Sequence, residues 1–459
     1  MDPGTRTPSL KPPAVAFYGG WWGALAPFVL FVVAVVALGL SGAPDERGFW
    51  PVLVLALALA LALARDRTAL CEAMVAGMSR PLVALMITAW LLAGVLAVVL
   101  RAGGLIDALV WSAHALGLHG GVYVAAAFAA CCLVSTATGT SLGTILLCAP
   151  LLYPAGGALG AAPAVLIGAI LGGATFGDNV SPVSDTTIAS ATTQGAAMGE
   201  VVRSRLRYAL PAAGAALAVF ALAGGRPAAG DVPPPAGDGT ALPLLAAPAV
   251  AILLLVRRHH LFVGLLAGVA TAVAVALGLG LITPAALFYV DPQRFGARGL
   301  VVEGMERGIG VSIFTLLLMA LVAAVESSGV MAHLLQAAGR RARDARGAEL
   351  LIVALASAAV LLTTHSVVAI LIAGGFARKI GERFALSAPR RANLLDVTVC
   401  TYPFLLPWFI PTILAASTTR GHAAMPPVSA WSAGLWNLHS WGLLAVLLLA
   451  VASGWGRDQ

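Results

Sequence analysis

Residues 172–187 read GGATFGDNVSPVSDTT, a polar stretch inside a long apolar segment. The stretch holds two carboxylates, Asp178 and Asp185, together with an amide and several hydroxyl groups. A charged side chain at the centre of a bilayer costs about 2.5–3.5 kcal/mol on insertion scales, so both acids need partners. Pro182 removes a helical hydrogen bond, and Gly177 makes unwinding of the backbone easier. The stretch therefore predicts a membrane helix that is broken near its middle.

The composition of the chain places this stretch in a membrane. Of 459 residues, 60% are apolar and only 10% are charged, whereas a soluble domain carries roughly 25% charged residues. These values exclude a soluble globular protein, a disordered chain and a typical nucleic-acid binder, and they make the lipid bilayer the expected partner. A spanning helix needs about 20 residues, so the length allows roughly ten to twelve crossings. The five cysteines show no metal-binding spacing, and we expect no cofactor.

Basic residues in short loops predict the topology, because they tend to stay in the cytoplasm. With a cytoplasmic N-terminus, most of the 27 Lys and Arg residues face the cytoplasm. They include Arg203, Arg205 and Arg207, which precede a predicted crossing at 208–224. The result is a multi-pass protein of the inner (cytoplasmic) membrane with both termini in the cytoplasm, and its N-terminal apolar stretch is an uncleaved first helix.

The chain also repeats itself at about half its length. Gly104 matches Gly329, and further small and hydroxyl residues match at offsets close to the one between these two glycines. The basic loops of the two halves are placed oppositely, which indicates an inverted repeat, the symmetry that secondary transporters use for alternating access. The predicted units are a first transmembrane half at 1–224 with its repeat core at about 70–195, an extracellular linker at 225–241, and a second half at 242–459 with its repeat core at about 300–421.

Two other apolar stretches carry a polar cluster at their centre. Residues 135–141 read STATGTS, and residues 363–366 read TTHS. Each pattern predicts a re-entrant hairpin with its polar tip near the midplane. His365 could titrate there, but a lone histidine can equally be a satisfied structural residue. The residues expected to line the site from the two tips are Thr138, Gly139, Thr140, Ser141, Thr364, His365 and Ser366.

A second crossing is predicted to be broken as well. Residues 394–412 read LLDVTVCTYPFLLPWFIPT, and their three prolines make a continuous helix implausible. Asp396 is the only acid in this crossing. It either faces the central cavity or caps the helix start beside Arg390 and Arg391. The fold class is therefore an all-α polytopic membrane protein with inverted-topology repeats, two re-entrant hairpins and two broken transmembrane helices.

The oxygen-rich break suggests cation chemistry. Carboxylate, hydroxyl and freed carbonyl oxygens are ligands that Na⁺ accepts at broken membrane helices. A carboxylate removed from water also retains a proton more readily, so one cage can hold either Na⁺ or H⁺. The other interpretation is a loop whose aspartates are exposed to solvent. The predicted ion- and proton-binding residues are Asp178, Asp185, Asn179, Ser181, Ser184, Thr186 and Asp396, with Asp178 and Asp185 as the Na⁺ ligands.

Residues 177–187 resemble the FGDKxSPLSDTT signature of the NhaC family of Na⁺/H⁺ antiporters. Residues 138–141 are similar to its TGTSW stretch, and Leu406-Pro407-Trp408, downstream of Asp396, resembles its acidic residue followed by a Pro-Trp segment. The similarity covers about residues 70–420. It implies paired re-entrant hairpins and exchange driven by an ion gradient, and the family also includes exchangers of organic acids.

The chain departs from the family pattern at three positions. Asn179 stands where the family often has Lys, which removes a positive charge beside Asp178. Leu142 replaces the Trp of the second motif, and Phe409 replaces a small polar residue. The missing lysine bears on ion stoichiometry and substrate, because it changes the charge of the predicted site.

The sequence thus predicts a secondary active transporter, not an enzyme, that exchanges Na⁺ for H⁺ by alternating access. Li⁺ is a second candidate cation, and a homodimer is a candidate assembly. The main alternative is an ion-coupled transporter or exchanger of a small organic acid or amino acid. An intramembrane aspartyl protease would use Asp178 or Asp185 with Asp396, but it gives the repeat and the polar tips no role. Broken inverted repeats also favour alternating access over a channel.

Overall fold

A computed structural model of the chain describes residues 15–40, 46–182, 184–226, 238–257, 259–293, 296–330, 333, 342–422 and 425–457. The N-terminal segment 1–14 and segment 227–237 of the predicted linker lie outside this described part. Within the described residues, the fold is all-α apart from one short antiparallel pair of strands, β1 (Tyr289–Asp291) and β2 (Gly296–Arg298). The predicted fold class of a helical membrane protein is confirmed.

The helices of the first half run from the N-terminal span to the helix that follows the first break. They are α1 (Gly20–Leu40), α2 (Trp50–Leu63), α3 (Arg67–Met78), α4 (Pro81–Ala102), α5 (Leu105–Ala115), α6 (Gly120–Thr138), α7 (Ser141–Ala158), α8 (Pro163–Val180), α9 (Asp185–Gln194) and α10 (Met198–Ala223). A short 3₁₀ helix, Glu46–Phe49, precedes α2.

The second half follows with its own set of helices. They are α11 (Ala246–Val256), α12 (Leu261–Gly278), α13 (Pro284–Leu287), α14 (Leu300–Ser327), α15 (Ala345–Thr363), α16 (Ser366–Arg383), α17 (Ala388–Val399), α18 (Ile410–Ser417), α19 (Ala430–Leu435) and α20 (Leu438–Ser453). The 3₁₀ helices Gly239–Leu245 and Tyr402–Phe404 precede α11 and interrupt the second broken crossing, respectively.

Within the described residues, 10 helical segments are long and apolar enough to cross a bilayer. The most hydrophobic are Val83–Ala102 and Leu300–Ser327, which belong to α4 and α14. The chain is therefore a multi-pass membrane protein. Both arms of the first hairpin, α6 and α7, are among these segments. That the hairpins re-enter the bilayer from one side stays a prediction, as do the domain limits.

The sequence repeat is also present in the structure. Helices α6 and α15 both contain 19 residues, and α7 and α16 both contain 18 residues. The offset from the first residue of α6 to that of α15 equals the offset from the first residue of α7 to that of α16. Each hairpin turns through one residue with left-handed backbone, Gly139 (φ 69°) in the first and Thr364 (φ 52°) in the second. The two halves thus share one design of hairpin.

Helices α4 and α14 are equivalent elements of the two halves and run antiparallel. Arg80 before the start of α4 pairs with Glu326 near the end of α14. At the other end, Arg101 Nη2 lies 2.5 Å from Glu303 Oε1 in the first turn of α14. Because equivalent helices point in opposite directions, the repeat is inverted, a symmetry found in many secondary transporters.

Glycines allow the backbones of α4 and α14 to touch. An ideal Cβ on Gly94 would lie 2.1 Å from the carbonyl oxygen of Gly304, and one on Gly304 would lie 2.4 Å from the Cα of Val95. Helices in lipid gain their association from close packing of this kind, because burial of apolar surface offers little advantage there. The α4–α14 pair is therefore built for tight, direct contact.

We expect Gly94→Ala to lower the thermal unfolding temperature in detergent, because the new methyl group forces the two backbones apart. Overpacking of this kind costs about 1–3 kcal/mol. Gly214→Ala in α10 is the matched control, since an added Cβ there meets nothing within 4 Å. Equal unfolding temperatures for Gly94→Ala and the unchanged protein would contradict the direct contact.

Candidate functional site

The first broken crossing leaves its central residues close to a cluster of hydroxyl groups. Helix α8 ends at Val180 and α9 begins at Asp185. Just after the break, the hydroxyl oxygens of Ser184 and Thr186 lie 3.0 Å apart. Thr186 Oγ1 also donates across the break to the carbonyl oxygen of Asp178 at 3.3 Å. Side-chain hydroxyls thus bind a backbone oxygen that the interrupted helix leaves without its usual partner.

The tip of the first hairpin supplies the main partners of the Asp178 side chain. Thr140 caps α7 by accepting a hydrogen bond from Gly143 N at 3.2 Å, which fixes Ser141 as the first residue of that helix. Ser141 then donates twice to the carboxylate, from its N–H to Oδ1 at 3.2 Å and from its hydroxyl to Oδ2 at 2.6 Å. Ser184 Oγ lies 3.5 Å from Oδ1. Asp178 is partly exposed, and all of these donors are neutral.

The hairpin tip reaches Asp178 because Gly177 has no side chain. A Cβ on Gly177 would lie 2.2 Å from the carbonyl carbon and the Cβ of Ser135. Ser135, which is fully buried, uses its hydroxyl to donate to the carbonyl oxygen of Ala174 at 2.7 Å. The hairpin therefore rests directly on the backbone of α8, one turn before the break.

Asp396 lies deep in the protein and forms an ion pair with Arg205, each with a fully buried side chain. Its carboxylate also accepts hydrogen bonds from Ser190 Oγ at 3.3 Å and from Cys400 Sγ at 3.1 Å. The start of α17 is capped instead by Ser387, whose hydroxyl accepts from the backbone N–H of the third helical residue. The interpretation of Asp396 as a helix cap is therefore wrong.

Arg205 is the site residue that sequence analysis missed. Its assignment to a cytoplasmic loop is wrong, because α10 begins at Met198 and places this side chain in the core. Besides Asp396, the guanidinium donates to four oxygens: from Nη1 to the Asn179 carbonyl and Thr187 Oγ1, both at 2.7 Å, from Nε to Asn393 Oδ1 at 3.0 Å, and from Nη2 to Ser190 Oγ at 3.2 Å.

A sequence signal for Arg205 does exist. Val201, Arg205, Ala209 and Ala212 are buried at a spacing of three to four residues, whereas Arg203 and Arg207 are exposed. This spacing marks one face of a helix. It identifies Arg205 as a core residue once the helix is known to start well before the predicted crossing at 208–224.

The remaining predicted residues of the break are spread over different environments. Asp185 is exposed at the start of α9, and Ser181 is buried at the end of α8. Asn179 is buried; its amide donates to Thr175 O at 3.2 Å, and its Oδ1 has no hydrogen-bond partner among the described residues. The structure thus joins Asp178, Ser184 and Thr186 in one cluster and leaves Asp185 at its edge.

The second hairpin tip docks on the other broken helix. Ser366 Oγ donates to the carbonyl oxygen of Val399, the last residue of α17, at 2.8 Å. His365 Nδ1 accepts from Val368 N at 3.5 Å and so acts as the cap of α16, in line with the structural role considered for it. Thr364 is buried, and its hydroxyl has no partner within the part of the chain that the structure describes.

The two acids do not occupy equivalent positions in the repeat. Helices α8 and α17 are equivalent, and they begin at the same offset as the paired hairpin helices. Asp178 is nevertheless the sixteenth residue of α8, whereas Asp396 is the ninth of α17. By register, Leu171 corresponds to Asp396, and Pro403 corresponds to Asp178. The site is therefore asymmetric, although the hairpins around it match.

Two cavities lie among the described helices. One, of about 410 Å³, is lined by Thr138, Gly139 and Thr140 of the first tip and by Asp185. The other, of about 370 Å³, carries four arginines and two glutamates: Arg47, Arg101, Arg307, Arg420, Glu303 and Glu306. Trp90 and Leu146 line both cavities and therefore stand between them.

Residues 28–224 match the model of the Na⁺/H⁺ antiporter family. The match covers less than half of the chain. The matched range contains the first hairpin, the broken helix with Asp178, and Arg205, whereas Asp396 lies beyond it.

Two curated relatives share parts of the sequence. The Malate-2H⁺/Na⁺-lactate antiporter of Bacillus subtilis is 33% identical over 141 residues, which cover 31% of this chain and 30% of the relative. The Na⁺/H⁺ antiporter NhaC of Alkalihalophilus pseudofirmus is 26% identical over 309 residues, covering 63% and 66% of the two chains. The matches thus span less than two thirds of either relative. A crystal structure of the Alcanivorax borkumensis YdaH transporter aligns with a TM-score of 0.40 and 16% identity over 84% of this chain and 88% of that chain.

We expect Arg205→Ala to destabilise the protein strongly, because the variant leaves Asp396 as an unpaired buried charge. Breaking a buried ion pair in this way costs about 3–5 kcal/mol. Arg203→Ala, on the exposed face of α10, should change stability by less than about 0.5 kcal/mol. Thermal unfolding of both variants in the same detergent tests this difference, and similar unfolding temperatures would show that Arg205 is not the buried partner.

Proposed function

We propose that the chain is a secondary active transporter that exchanges Na⁺ for H⁺ by alternating access, with Asp178 binding the two ions in turn. The observation that carries this proposal is a partly exposed carboxylate, set at a break in a membrane helix, that only neutral groups hold. In this proposal the chain is not an enzyme and needs no cofactor.

The surroundings of Asp178 are suited to reversible binding of a cation. Among the described residues, no basic side chain lies within salt-bridge distance of this carboxylate, so its charge is left for an ion to neutralise. The hydroxyl oxygens of Ser141, Ser184 and Thr186 are close enough to share in a cage of hard oxygen ligands. A proton on Asp178 neutralises the same charge. Na⁺ and H⁺ would therefore compete for one group, with Asp185 at the edge of the site.

In this proposal the two cavities serve as the approaches that alternating access needs. One reaches the first hairpin tip and Asp185, the other lies beyond Trp90 and Leu146. Opening and closing on either side of these two residues would expose the site to one compartment at a time. We place the protein in the cytoplasmic membrane of the cell with both termini inside, with Li⁺ as a second accepted cation and a homodimer as the candidate assembly.

A second candidate function is ion-coupled exchange of a small organic acid. The cavity with four arginines and two glutamates carries a net positive charge and would attract carboxylates. The Bacillus subtilis relative is named for malate and lactate exchange. The family match across the Asp178 region makes cation exchange the better supported of the two functions.

Purified protein in liposomes that contain a pH-sensitive dye separates the two functions. We expect external Na⁺ alone to collapse an imposed proton gradient, with Li⁺ and K⁺ as comparison salts. Collapse that occurs only after lactate or malate is added would favour the organic-acid exchanger instead.

Asp178→Asn should abolish Na⁺-driven proton movement in this assay, because the amide can neither take up a proton nor neutralise a cation. Asp107→Asn is the matched control, since Asp107 is exposed in the first turn of α5, far along the chain from the break. Normal exchange by Asp178→Asn, with equal amounts of protein inserted, would remove this carboxylate from the mechanism.

Ser141→Ala should move the acid limb of the activity profile to higher pH. The variant removes a hydroxyl that stabilises the ionised carboxylate, and a hydrogen bond to a charged group contributes about 1.5–3 kcal/mol, or about one to two pH units. Exchange rates measured across the range from acid to alkaline pH give the shift. Ser112→Ala, whose hydroxyl bonds only the backbone of its own helix, is the control. A profile that coincides with the unchanged protein would contradict the role of Ser141.

A further inference from the structure

Three ionisable side chains lie around the first break: the partly exposed Asp178 and the buried pair of Arg205 and Asp396. Asp178 and Asp396 each carry one negative charge when ionised, and Arg205 carries one positive charge. Arginine does not lose its proton in proteins, so its charge is permanent. The cluster therefore has a net charge of minus one until an ion binds.

Arg205 and Asp396 neutralise each other's charge, so this pair has no free charge for a transported ion to bind. Both side chains are fully buried, and the guanidinium uses its donors on five oxygens of α8, α9 and α17, including one on Asp396. Asp396 in turn accepts from Ser190 and Cys400. Removing either charge would strand the other in the interior, so the pair keeps its charges throughout the transport cycle.

We propose that Arg205 is a resident cation that limits the site to one exchangeable charge, so that one Na⁺ is exchanged for one H⁺ and transport is electroneutral. This inference rests on the proposed function and adds its coupling ratio. Arg205 also donates to the carbonyl oxygen of Asn179. It therefore supplies a positive charge beside the position where the resembling family often has Lys.

Exchange of H⁺ for Na⁺ on Asp178 conserves both charge and atoms. The protonated carboxyl of Asp178 loses H⁺ as the carboxylate takes up Na⁺, and the reverse occurs on the other side of the membrane. The ion-loaded cluster is neutral in both forms, because Arg205 and Asp396 cancel. A neutral cluster avoids the large cost of moving net charge through a region of low dielectric constant.

The other charges near these helices do not alter this balance. Asp185 is exposed at the edge of the site, where it lines the cavity at the first hairpin tip. Glu349 is fully buried but pairs with Arg390 at 2.9 Å and Arg457 at 2.8 Å. Arg391 donates to the side chain of Gln194 at 3.2 Å, and its Nη2 lies 3.9 Å from Glu382 Oε1.

The decisive experiment measures coupling in liposomes with the full-length protein. Potassium gradients with valinomycin set the membrane potential, and the Na⁺ and pH gradients at which net flux stops are determined. We expect flux to stop when the two gradients are equal at any potential. One net charge moved per cycle would shift that balance point by about 50-fold at about 100 mV, and a shift of this size would overturn the inference.

Charge variants assign the effect to Arg205. Arg205→Gln leaves two carboxylates without the resident cation, so that two H⁺ can be exchanged for one Na⁺ that both carboxylates bind. One net charge then moves per cycle, and the balance point should depend on potential. The double variant Arg205→Gln with Asp396→Asn restores a net charge of minus one and should exchange without voltage dependence, at whatever rate it retains. Arg203→Gln is the control with an unaltered balance point. Voltage-independent exchange by Arg205→Gln alone would overturn the role of this residue.

These experiments distinguish a wrong coupling ratio from a wrong proposed function. Absence of any Na⁺-driven proton movement in the unchanged protein would refute the proposed function. Exchange that is present but voltage-dependent would refute only the coupling ratio. If Arg205→Gln does not fold, the unchanged protein and the charge-restored double variant still decide the outcome.

Discussion

A carboxylate inside the thickness of a membrane must obtain from the protein the hydrogen bonds that water would otherwise give it, and the arrangement around Asp178 follows from this requirement. The donors come from Ser141 at a hairpin tip and from Ser184 at a helix break. The tip can approach only because Gly177 has no side chain. The hairpin, the break and the glycine therefore act together to supply hydrogen bonds to the Asp178 carboxylate.

Much of this arrangement could be predicted, because it depends on prolines and polar residues that are unusual within membrane-spanning segments. Pro182 and the three prolines of residues 394–412 located the two breaks, and hydroxyl clusters within apolar runs located the two hairpin tips. The half-length repeat was visible in a few matched positions, and the helix boundaries follow it closely. Each of these signals is local, so it needs no knowledge of how the helices pack.

The partner of Asp396 could not be predicted in the same way. Arg205 stands between two exposed arginines, and in sequence the three together are typical of a cytoplasmic loop. Only the early start of α10, and the face that this helix turns to α9 and α17, make Arg205 a buried residue. Such a contact joins opposite halves of the chain and depends on tertiary packing, which residue patterns in one segment do not encode.

Under the proposed alternating access, the unequal registers of the two acids make the inward-facing and outward-facing conformations differ in free energy. If the halves were true copies, exchanging their conformations would convert the inward-facing molecule into an outward-facing one related to it by a two-fold rotation, and the two forms would be equally populated without a gradient. With Asp178 near the end of α8 and Asp396 two turns earlier in α17, the exchanged molecule has different contacts and a different free energy. Without a gradient, most molecules would consequently adopt the conformation that opens toward one compartment, and ions from that compartment would bind first.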